Sequence, residues 1–230
     1  MLRFDRAETR LGTFALRADF AVPAGARLAV IGPSGSGKST LLGMIAGFVP
    51  LSAGRIEWQG RDLADTPPGA RPVSILFQDQ NLFPHLSVAE NVGLGLRADL
   101  RLTPENRAAV TEALQQVGLQ DMADRRPAQL SGGQQSRVAL ARVALRARPI
   151  LLLDEAFAAL GPALKADMLE LLARIAERSG ATVLMVTHDP DDARAFAPDT
   201  IAVIDGVAHP PVPTGPLLDN PPPSLAAYLG

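Results

Sequence analysis

The segment that most constrains this chain is RLAVIGPSGSGKSTLL, residues 27–42. It begins with a short run of small apolar residues, which predicts a buried strand. A glycine-rich loop then leads into Lys38, Ser39 and a stretch with helical character. A strand, a loop of the form G-x-x-x-x-G-K-[ST] and a helix are together typical of a phosphate-binding loop, or P-loop. The sequence therefore predicts an α/β fold that holds a nucleoside triphosphate.

The residue types in this loop match the chemistry of a phosphate chain. Glycines let the backbone curl so that successive N–H groups point inward, and the following helix adds the positive end of its dipole. Lys38 is placed to reach the β- and γ-phosphates, and the Ser39 hydroxyl is placed to bind Mg²⁺. The predicted phosphate-binding residues are Gly32, Pro33, Ser34, Gly35, Ser36, Gly37, Lys38, Ser39 and Thr40.

Composition and charge exclude several other classes of protein. With 230 residues, 47% of them hydrophobic, and a formal net charge of −2, the chain lacks the basic stripe that nucleic-acid binding requires. It has no cysteine, which excludes disulfides, thiol catalysis and cysteine-based zinc sites. No apolar run has the length of a membrane span, and the amino terminus lacks the apolar core of a signal peptide. We therefore expect a protein that stays inside the cell and meets a membrane only through a partner.

The order of the predicted elements indicates a sheet with one helical insertion. Residues 2–30 alternate apolar and polar in short runs, which predicts antiparallel strands. Later strands alternate with helices, as in a mostly parallel sheet. Residues 79–129 contain helix starts at Ser87 and Thr103 but no strand pattern, so we predict an inserted helical subdomain there. We expect residues 207–230 to form a short proline-rich tail with no regulatory domain.

Polar residues follow three of the predicted buried strands directly. They are Gln78, the pair Asp154 and Glu155, and His188. Because ligands bind beyond the carboxyl ends of parallel strands, we expect these side chains to gather around the P-loop. A second glycine turn, at residues 131–133, precedes a pattern with helical period. That turn is a second geometry suited to binding an anion.

Five motifs together resemble those of the ATP-binding cassette (ABC) ATPases. They are GPSGSGKST, Gln78, LSGGQ at 130–134, ILLLDE at 150–155 and His188. LSGGQ is the specific mark, since ordinary P-loop proteins lack it. The resemblance implies a single ABC ATP-binding domain over 1–230, with a mostly parallel sheet around the P-loop, an N-terminal antiparallel β subdomain and an inserted α-helical subdomain. Residues 66–96 and the short carboxyl end further resemble the ATP-binding subunits of bacterial thiamine importers.

The resemblance implies ATP and Mg²⁺ as cofactors and a role for each polar residue. Asp154 would hold Mg²⁺ through water, with Ser39 and Gln78 as further metal ligands. Glu155 would be the general base that polarises the attacking water. His188 would contact the γ-phosphate, so the implied catalytic set is Glu155, His188 and Gln78.

In the family, LSGGQ serves a second copy of the same chain. Two copies would face each other head to tail, and Ser131, Gly132, Gly133 and Gln134 would close over the ATP held by the partner. The other implied partners are transmembrane permease subunits and, indirectly, a periplasmic solute-binding protein. No nucleic-acid partner is implied. The implied location is the cytoplasmic face of the bacterial inner membrane, reached through the permease.

The start of the insertion, residues 79–96, is the predicted docking surface for the membrane subunit. It carries the apolar residues Leu82, Phe83 and Leu86 directly after the nucleotide-sensing Gln78. The alternative is that these residues form the core of the small subdomain, and the sequence leaves both open.

Three departures from the family pattern bear on function. Gly161 stands where the family has an aspartate that contacts the partner, so we predict a weaker closed dimer. Ala156 replaces the usual proline after Asp154 and Glu155. Arg10 and Leu11 occupy the place of the usual base-stacking aromatic, for which Phe14 is the candidate substitute; core packing is the alternative for Phe14.

Three other functions are weighed against the thiamine importer. Another small solute is possible as cargo, because no residue of such a motor need touch it. A soluble ABC ATPase acting on DNA or ribosomes usually has two cassettes or a coiled-coil arm, and the span from Gln78 to Leu130 is too short for an arm. The intact Lys38, Asp154 and Glu155 argue against an inactive regulatory module.

Overall fold

The computed structural model describes residues 1–229, and within them eleven strands form one continuous sheet. Gly230, the last residue of the predicted tail, lies outside the described residues. The strands are β1 Leu2–Leu11, β2 Phe14–Val22, β3 Arg27–Ile31, β4 Ala53–Trp58, β5 Arg61–Asp62, β6 Val73–Phe77, β7 Ile150–Asp154, β8 Thr182–Val186, β9 Asp199–Ile204, β10 Val207–Ala208 and β11 Val212–Pro213. The α-helices are α1 Lys38–Ala46, α2 Val88–Gly93, α3 Pro104–Gln116, α4 Gly132–Leu145, α5 Pro162–Ser179, α6 Pro190–Phe196, α7 Thr214–Asp219 and α8 Pro223–Leu229.

The middle of the sheet is parallel, in the order β9-β3-β8-β7-β6. Its register places Val30 beside Val186, Val186 beside Asp154, and Asp154 beside Phe77. The carboxyl ends of β3, β8, β7 and β6 therefore lie side by side at one edge. The predicted mostly parallel sheet around the P-loop is confirmed.

The amino-terminal part of the sheet is antiparallel. Strand β1 pairs antiparallel with both β2 and β4, and β4 pairs with β5 in a hairpin. The turn of this hairpin contains Gln59 and Gly60, both with positive φ. Strand β10 lies between β2 and β9 and joins the two parts. The predicted antiparallel β subdomain is confirmed as well.

Two apolar clusters cover the two faces of the parallel strands. Successive side chains of a strand point to opposite faces. Leu28 and Val30 accordingly pack with α1 and the antiparallel strands, whereas Ala29 and Ile31 pack with the larger helices. Strand β3, which leads into the P-loop, is therefore held from both sides.

The segment 79–129 contains two α-helices and two single 3₁₀ turns, with no strand. Both helices begin where the sequence predicts. Ser87 and Thr103 are N-caps, and each forms a complete capping box with the residue three positions on. Helices α2 and α3 both contact α4, so the packed helical unit continues past residue 129. The boundary at 129 stays a prediction.

The predicted tail contains two further strands, β10 and β11, so the sequence interpretation missed the end of the sheet. The last helices, α7 and α8, fold back onto the body of the protein. Leu218 of α7 and Leu225 of α8 are buried in the same cluster as α4 and α5. Among the helices of residues 1–229, none combines the length and the hydropathy that a membrane-spanning segment needs.

Candidate nucleotide site

The P-loop connects β3 to α1, and two of its glycines are required by close neighbours. Gly32 has a φ of 152°, and a Cβ there would lie 2.0 Å from the carbonyl oxygen of Val203. Gly37 has a φ of 110°, and its Cβ would lie 2.8 Å from Cζ of Phe14. Only glycine avoids both the strain and the contact. The hydroxyl of Ser36 is buried in this loop and has no hydrogen-bond partner among residues 1–229.

Lys38 points back into the loop. Its Nζ donates hydrogen bonds to the carbonyl oxygens of Gly32, at 2.7 Å, and Pro33, at 3.0 Å. Burial lowers the pKa of Lys38, and the nearby negative charges of Glu155 and Asp154 oppose that effect. The ammonium group is thus partly desolvated and faces two carboxylates. An anionic ligand bound at this position would stabilise the charged form of Lys38.

Ser39 and Asp154 form the contact between α1 and the end of β7. The Ser39 hydroxyl donates to Asp154 Oδ1 at 3.0 Å. Burial raises the pKa of Asp154, and Glu155 adds to this; the Ser39 hydrogen bond and the charge of Lys38 act in the opposite direction. Two oxygen donors of the kind that bind a divalent cation are therefore adjacent at the P-loop.

Glu155 and His188 lie at the neighbouring strand ends. Glu155 has a φ of 49°, which is uncommon for a residue with a side chain, and its N–H donates to the Val186 carbonyl at 3.3 Å. Its Oε2 is 3.8 Å from Nδ1 of His188, whose side chain is 55% exposed. Gln78 follows β6 directly and is exposed. The register of the sheet thus brings Gln78, Glu155 and His188 to the edge that holds the P-loop.

The LSGGQ segment forms the N-terminus of α4. The Ser131 hydroxyl accepts from the N–H of Gln134 at 3.3 Å, and Gln134 Oε1 accepts from the N–H of Ser131 at 2.9 Å. Ser131 and Gly132 are exposed, whereas Gly133 is buried against Leu164 of α5. Within residues 1–229, none of the hydrogen bonds of these residues reaches the P-loop of the same chain.

Two contacts that the sequence did not indicate connect α4 to the segment after Gln78. The Gln80 side chain donates to the Ser136 hydroxyl at 2.6 Å. Arg142 donates to the carbonyl oxygens of Gln80 and Asn81, both at 2.8 Å. Gln80 and Asn81 both have positive φ, so the loop is held in a strained form. These partners are more than fifty residues apart in the chain, and no local signal could have paired them.

A second unpredicted network holds the segment around His188. Lys165 of α5 forms ion pairs with Asp189, at 2.8 Å, and Asp192, at 3.2 Å. The Thr187 hydroxyl donates to Asp192 at 2.9 Å. Lys165 is one of only two lysines in the chain, and this rarity was the sequence signal that could have drawn attention to Lys165.

Phe14 lies against the P-loop rather than away from it. Its ring is partly buried, packs with the apolar cluster of α1 and approaches Gly37. Leu11, at the β1–β2 turn, is 46% exposed. Stacking of Phe14 on a base stays a prediction.

Comparison with known proteins identifies the family. The family model described as ABC transporter matches residues 16–158, more than half of the chain. The chain belongs to the ABC transporter family. The resemblance drawn from the motifs is thereby confirmed, and this ABC ATPase binds and hydrolyses ATP.

Curated relatives match the ABC ATPase over its whole length. The thiamine import ATP-binding protein ThiQ of Cereibacter sphaeroides is 63% identical over 230 residues, covering 100% of both chains. The protein of the same name from Ruegeria sp. is 56% identical over 230 residues, again covering 100% of both.

Solved structures match the fold. The dimeric structure of MJ0796, a bacterial ABC transporter cassette, is similar with a TM-score of 0.79 and 30% identity, covering 93% of this chain and 99% of that one. A dimeric post-hydrolysis state of MJ0796 bound to ADP and Pi gives a TM-score of 0.78 with the same identity and coverage. The predicted cassette fold is therefore confirmed.

Proposed function

We propose that this ABC ATPase is the motor subunit of a bacterial thiamine importer, in which two copies enclose Mg-ATP and drive a membrane permease. One observation carries the catalytic part of the proposal: the Ser39–Asp154 contact at 3.0 Å lies beside Glu155 and His188 at the P-loop edge. The thiamine assignment is supported by the thiamine import ATP-binding protein of Cereibacter sphaeroides, which is 63% identical over 100% of the chain.

Binding of the triphosphate begins with an exchange at Lys38. Its Nζ releases the carbonyl oxygens of Gly32 and Pro33 and turns to the β- and γ-phosphates. The new acceptors are negatively charged phosphate oxygens, whereas the carbonyl oxygens that they replace are neutral, so the exchange is favourable. The buried Ser36 hydroxyl, which has no partner among residues 1–229, gains one from the phosphate chain.

The donor set fits Mg²⁺. Ser39 and Asp154 offer two adjacent oxygens, and Gln78 follows the next strand along the sheet. Mg²⁺ typically takes one or two protein ligands and completes its shell with phosphates and water. Within residues 1–229 no group of three or more His, Asp or Glu side chains could hold a metal alone, which fits this shared arrangement. When bound, the ion neutralises charge on the β- and γ-phosphates.

Hydrolysis then needs a base and a group that contacts the γ-phosphate. Glu155 is held at a strained backbone position at the end of β7, where its carboxylate can accept a proton from the attacking water. His188, 3.8 Å from that carboxylate, can donate to the γ-phosphate. Glu155 thus acts on the attacking water, and His188 acts on the phosphate that the water attacks.

Completion of the site requires a second copy. Ser131 and Gly132 are exposed at the N-terminus of α4 and make no hydrogen bond to the P-loop of their own chain within residues 1–229. In a head-to-tail pair this end of α4 closes on the partner's nucleotide, where its dipole favours the phosphates. The similarity to MJ0796, whose cassette is dimeric, supports a dimer of this chain.

A groove beside the loop after Gln78 is the proposed docking site for the permease subunit, at the cytoplasmic face of the inner membrane. It has a volume of about 410 Å³ and includes Phe48 and Phe83 among its lining residues. These side chains are 56% and 46% exposed. Two exposed phenylalanines at one groove form an apolar patch of the kind that marks a protein interaction site. Leu82, by contrast, packs on the apolar core, and Leu86 is half-buried. Phe83 is therefore the better docking candidate of the three predicted residues.

The catalytic proposal is tested by Glu155→Gln. The substitution removes the base but keeps the shape and the phosphate cradle. We expect kcat for ATP hydrolysis to fall about 100- to 1,000-fold while ATP affinity stays within a factor of two. The variant should also accumulate an ATP-bound dimer in gel filtration. Hydrolysis at the parental rate would remove Glu155 from this role.

The docking proposal is tested by Phe83→Glu with Val212→Glu as the control. Val212 is 41% exposed and is not among the lining residues of the groove. We expect Phe83→Glu alone to lose copurification with the permease, with basal ATPase activity retained. Assembly that survives Phe83→Glu in a folded protein would contradict the proposal.

A further inference from the structure

The carboxyl-terminal helix α8 reaches the segment that carries His188. Its Leu225 is fully buried in the apolar cluster beneath α5 and β9. One turn further on, the Tyr228 ring packs on the same cluster, and its hydroxyl donates to the backbone carbonyl of His188 at 3.3 Å. The two residues are separated by 40 positions in the chain.

The surroundings of Tyr228 keep its hydroxyl a donor. Burial raises the pKa of Tyr228, and the negative charges of Glu155 and Asp189 raise it further. The hydroxyl is therefore protonated at neutral pH.

The residues on either side of His188 are held by other elements. Thr187 bonds to Asp192, and Asp189 pairs with Lys165. The His188 side chain itself is 55% exposed, and its position depends on how its backbone is held. Tyr228 contacts that backbone directly, from helix α8.

We propose that Tyr228 is a positioning residue for His188, and that α8 is thereby part of the ATPase site. The hydroxyl fixes the peptide of His188 so that its imidazole stays beside Glu155 and faces the nucleotide. The inference rests on the proposed role of His188 in hydrolysis. It gives helix α8, in the predicted proline-rich tail, a role in positioning the ATPase site.

The test is Tyr228→Phe, which removes the hydroxyl and keeps the packed ring. We expect kcat to fall about three-fold, the size of one modest hydrogen bond, with KM for ATP and the melting temperature unchanged. Ser224→Ala is the matched control, because it removes an exposed hydroxyl from the same helix. Its kcat should equal that of the parent. An unchanged kcat in Tyr228→Phe would overturn the inference.

A second readout does not depend on turnover. The chain has three histidines, so their ring resonances can be assigned by substitution. Tyr228→Phe should shift or broaden the His188 ring signals and leave those of His85 and His209 in place. Unmoved His188 signals would contradict the inference even if kcat fell.

A double-mutant comparison separates this inference from the proposed function. Adding Tyr228→Phe to His188→Ala should cause no further loss of ATPase activity, because the tyrosine acts through the histidine. A further loss would mean that Tyr228 acts by another route. If His188→Ala alone kept parental turnover, the proposed role of His188 would fail instead.

Discussion

Helices α1 and α4 both begin at a glycine-rich motif, but only α4 has a side-chain cap at its N-terminus. Helix α1 begins after Gly37 without any side-chain cap. Helix α4 begins after Ser131 with a complete capping box, in which Ser131 and Gln134 bond to each other's backbone N–H groups. An α-helix leaves its first N–H groups without partners, and side chains or ligands must satisfy them.

The difference separates a helix end that faces the nucleotide of its own chain from one that, in the proposed dimer, faces the nucleotide of the partner. At α1 the helix end carries no side-chain cap, and Lys38 and Ser39 lie beside it, so a phosphate reaches the end of the helix without displacing a cap. At α4 the capping box bonds the N–H groups of Ser131 and Gln134, so the Ser131 hydroxyl must leave Gln134 to reach a partner's phosphate. In the proposed dimer that hydroxyl adds a hydrogen bond to the phosphate, whereas in the single chain it serves only as a cap.

The largest expected effect is at the α1 end. Lys38→Ala removes the cation that faces the phosphates, and ATP affinity should fall about 100-fold, the value of a charged hydrogen-bond pair. Isothermal titration with Mg-ATP measures this directly. Affinity that stays at the parental value would mean that the backbone of α1 alone holds the phosphates.

The second prediction concerns the α4 end. Ser131→Ala should weaken ATP-driven dimerisation about ten-fold, while ATP affinity of the monomer stays unchanged. Ser87→Ala on α2 is the matched control, since it also removes the serine of a complete capping box. Both variants should lose about 1 kcal/mol of stability from the lost cap. Equal dimerisation of the two variants would show that Ser131 serves only as a cap.

The third prediction uses Gly161, the N-cap of α5. It has extended backbone angles, and a Cβ there would meet nothing within 4 Å, so a side chain fits. Gly161→Asp should strengthen ATP-driven dimerisation by about 1 kcal/mol, one charged hydrogen bond at a partly wet interface. Gly161→Asn supplies a similar helix cap without the charge. If the two substitutions raise dimerisation equally, the gain comes from capping α5 and not from contact with the partner.

The smallest expected effect is on the stability of the nucleotide-free protein. Because the folded-state pKa of Asp154 is raised, the folded protein keeps this proton where the unfolded chain has lost it. Stability should therefore fall as pH rises through the interval between the two pKa values. Asp154→Asn should abolish this component and raise the melting temperature at neutral pH by about 1 °C. A lower melting temperature would mean that the Ser39 contact outweighs burial.

The sequence by itself determined the local features of this protein. The P-loop, the capping boxes at Ser87 and Thr103, and the alternation of strands and helices could be predicted because each depends on residues a few positions apart. The expectation that polar residues at strand ends would meet also rested on a general rule for parallel sheets. The N-termini of α3 and α4 match the sequence interpretation closely.

Only the tertiary structure decided which distant residues touch. The contacts Gln80–Ser136, Lys165–Asp189 and Tyr228–His188 join elements that pack across the domain. The packing of α2 and α3 on α4 likewise joins segments that are distant in the chain. These pairings follow from the register of β3, β8, β7 and β6 and from the shape of the apolar clusters. Both are properties of the whole fold, because strand order and side-chain packing are settled by contacts between residues far apart in the chain.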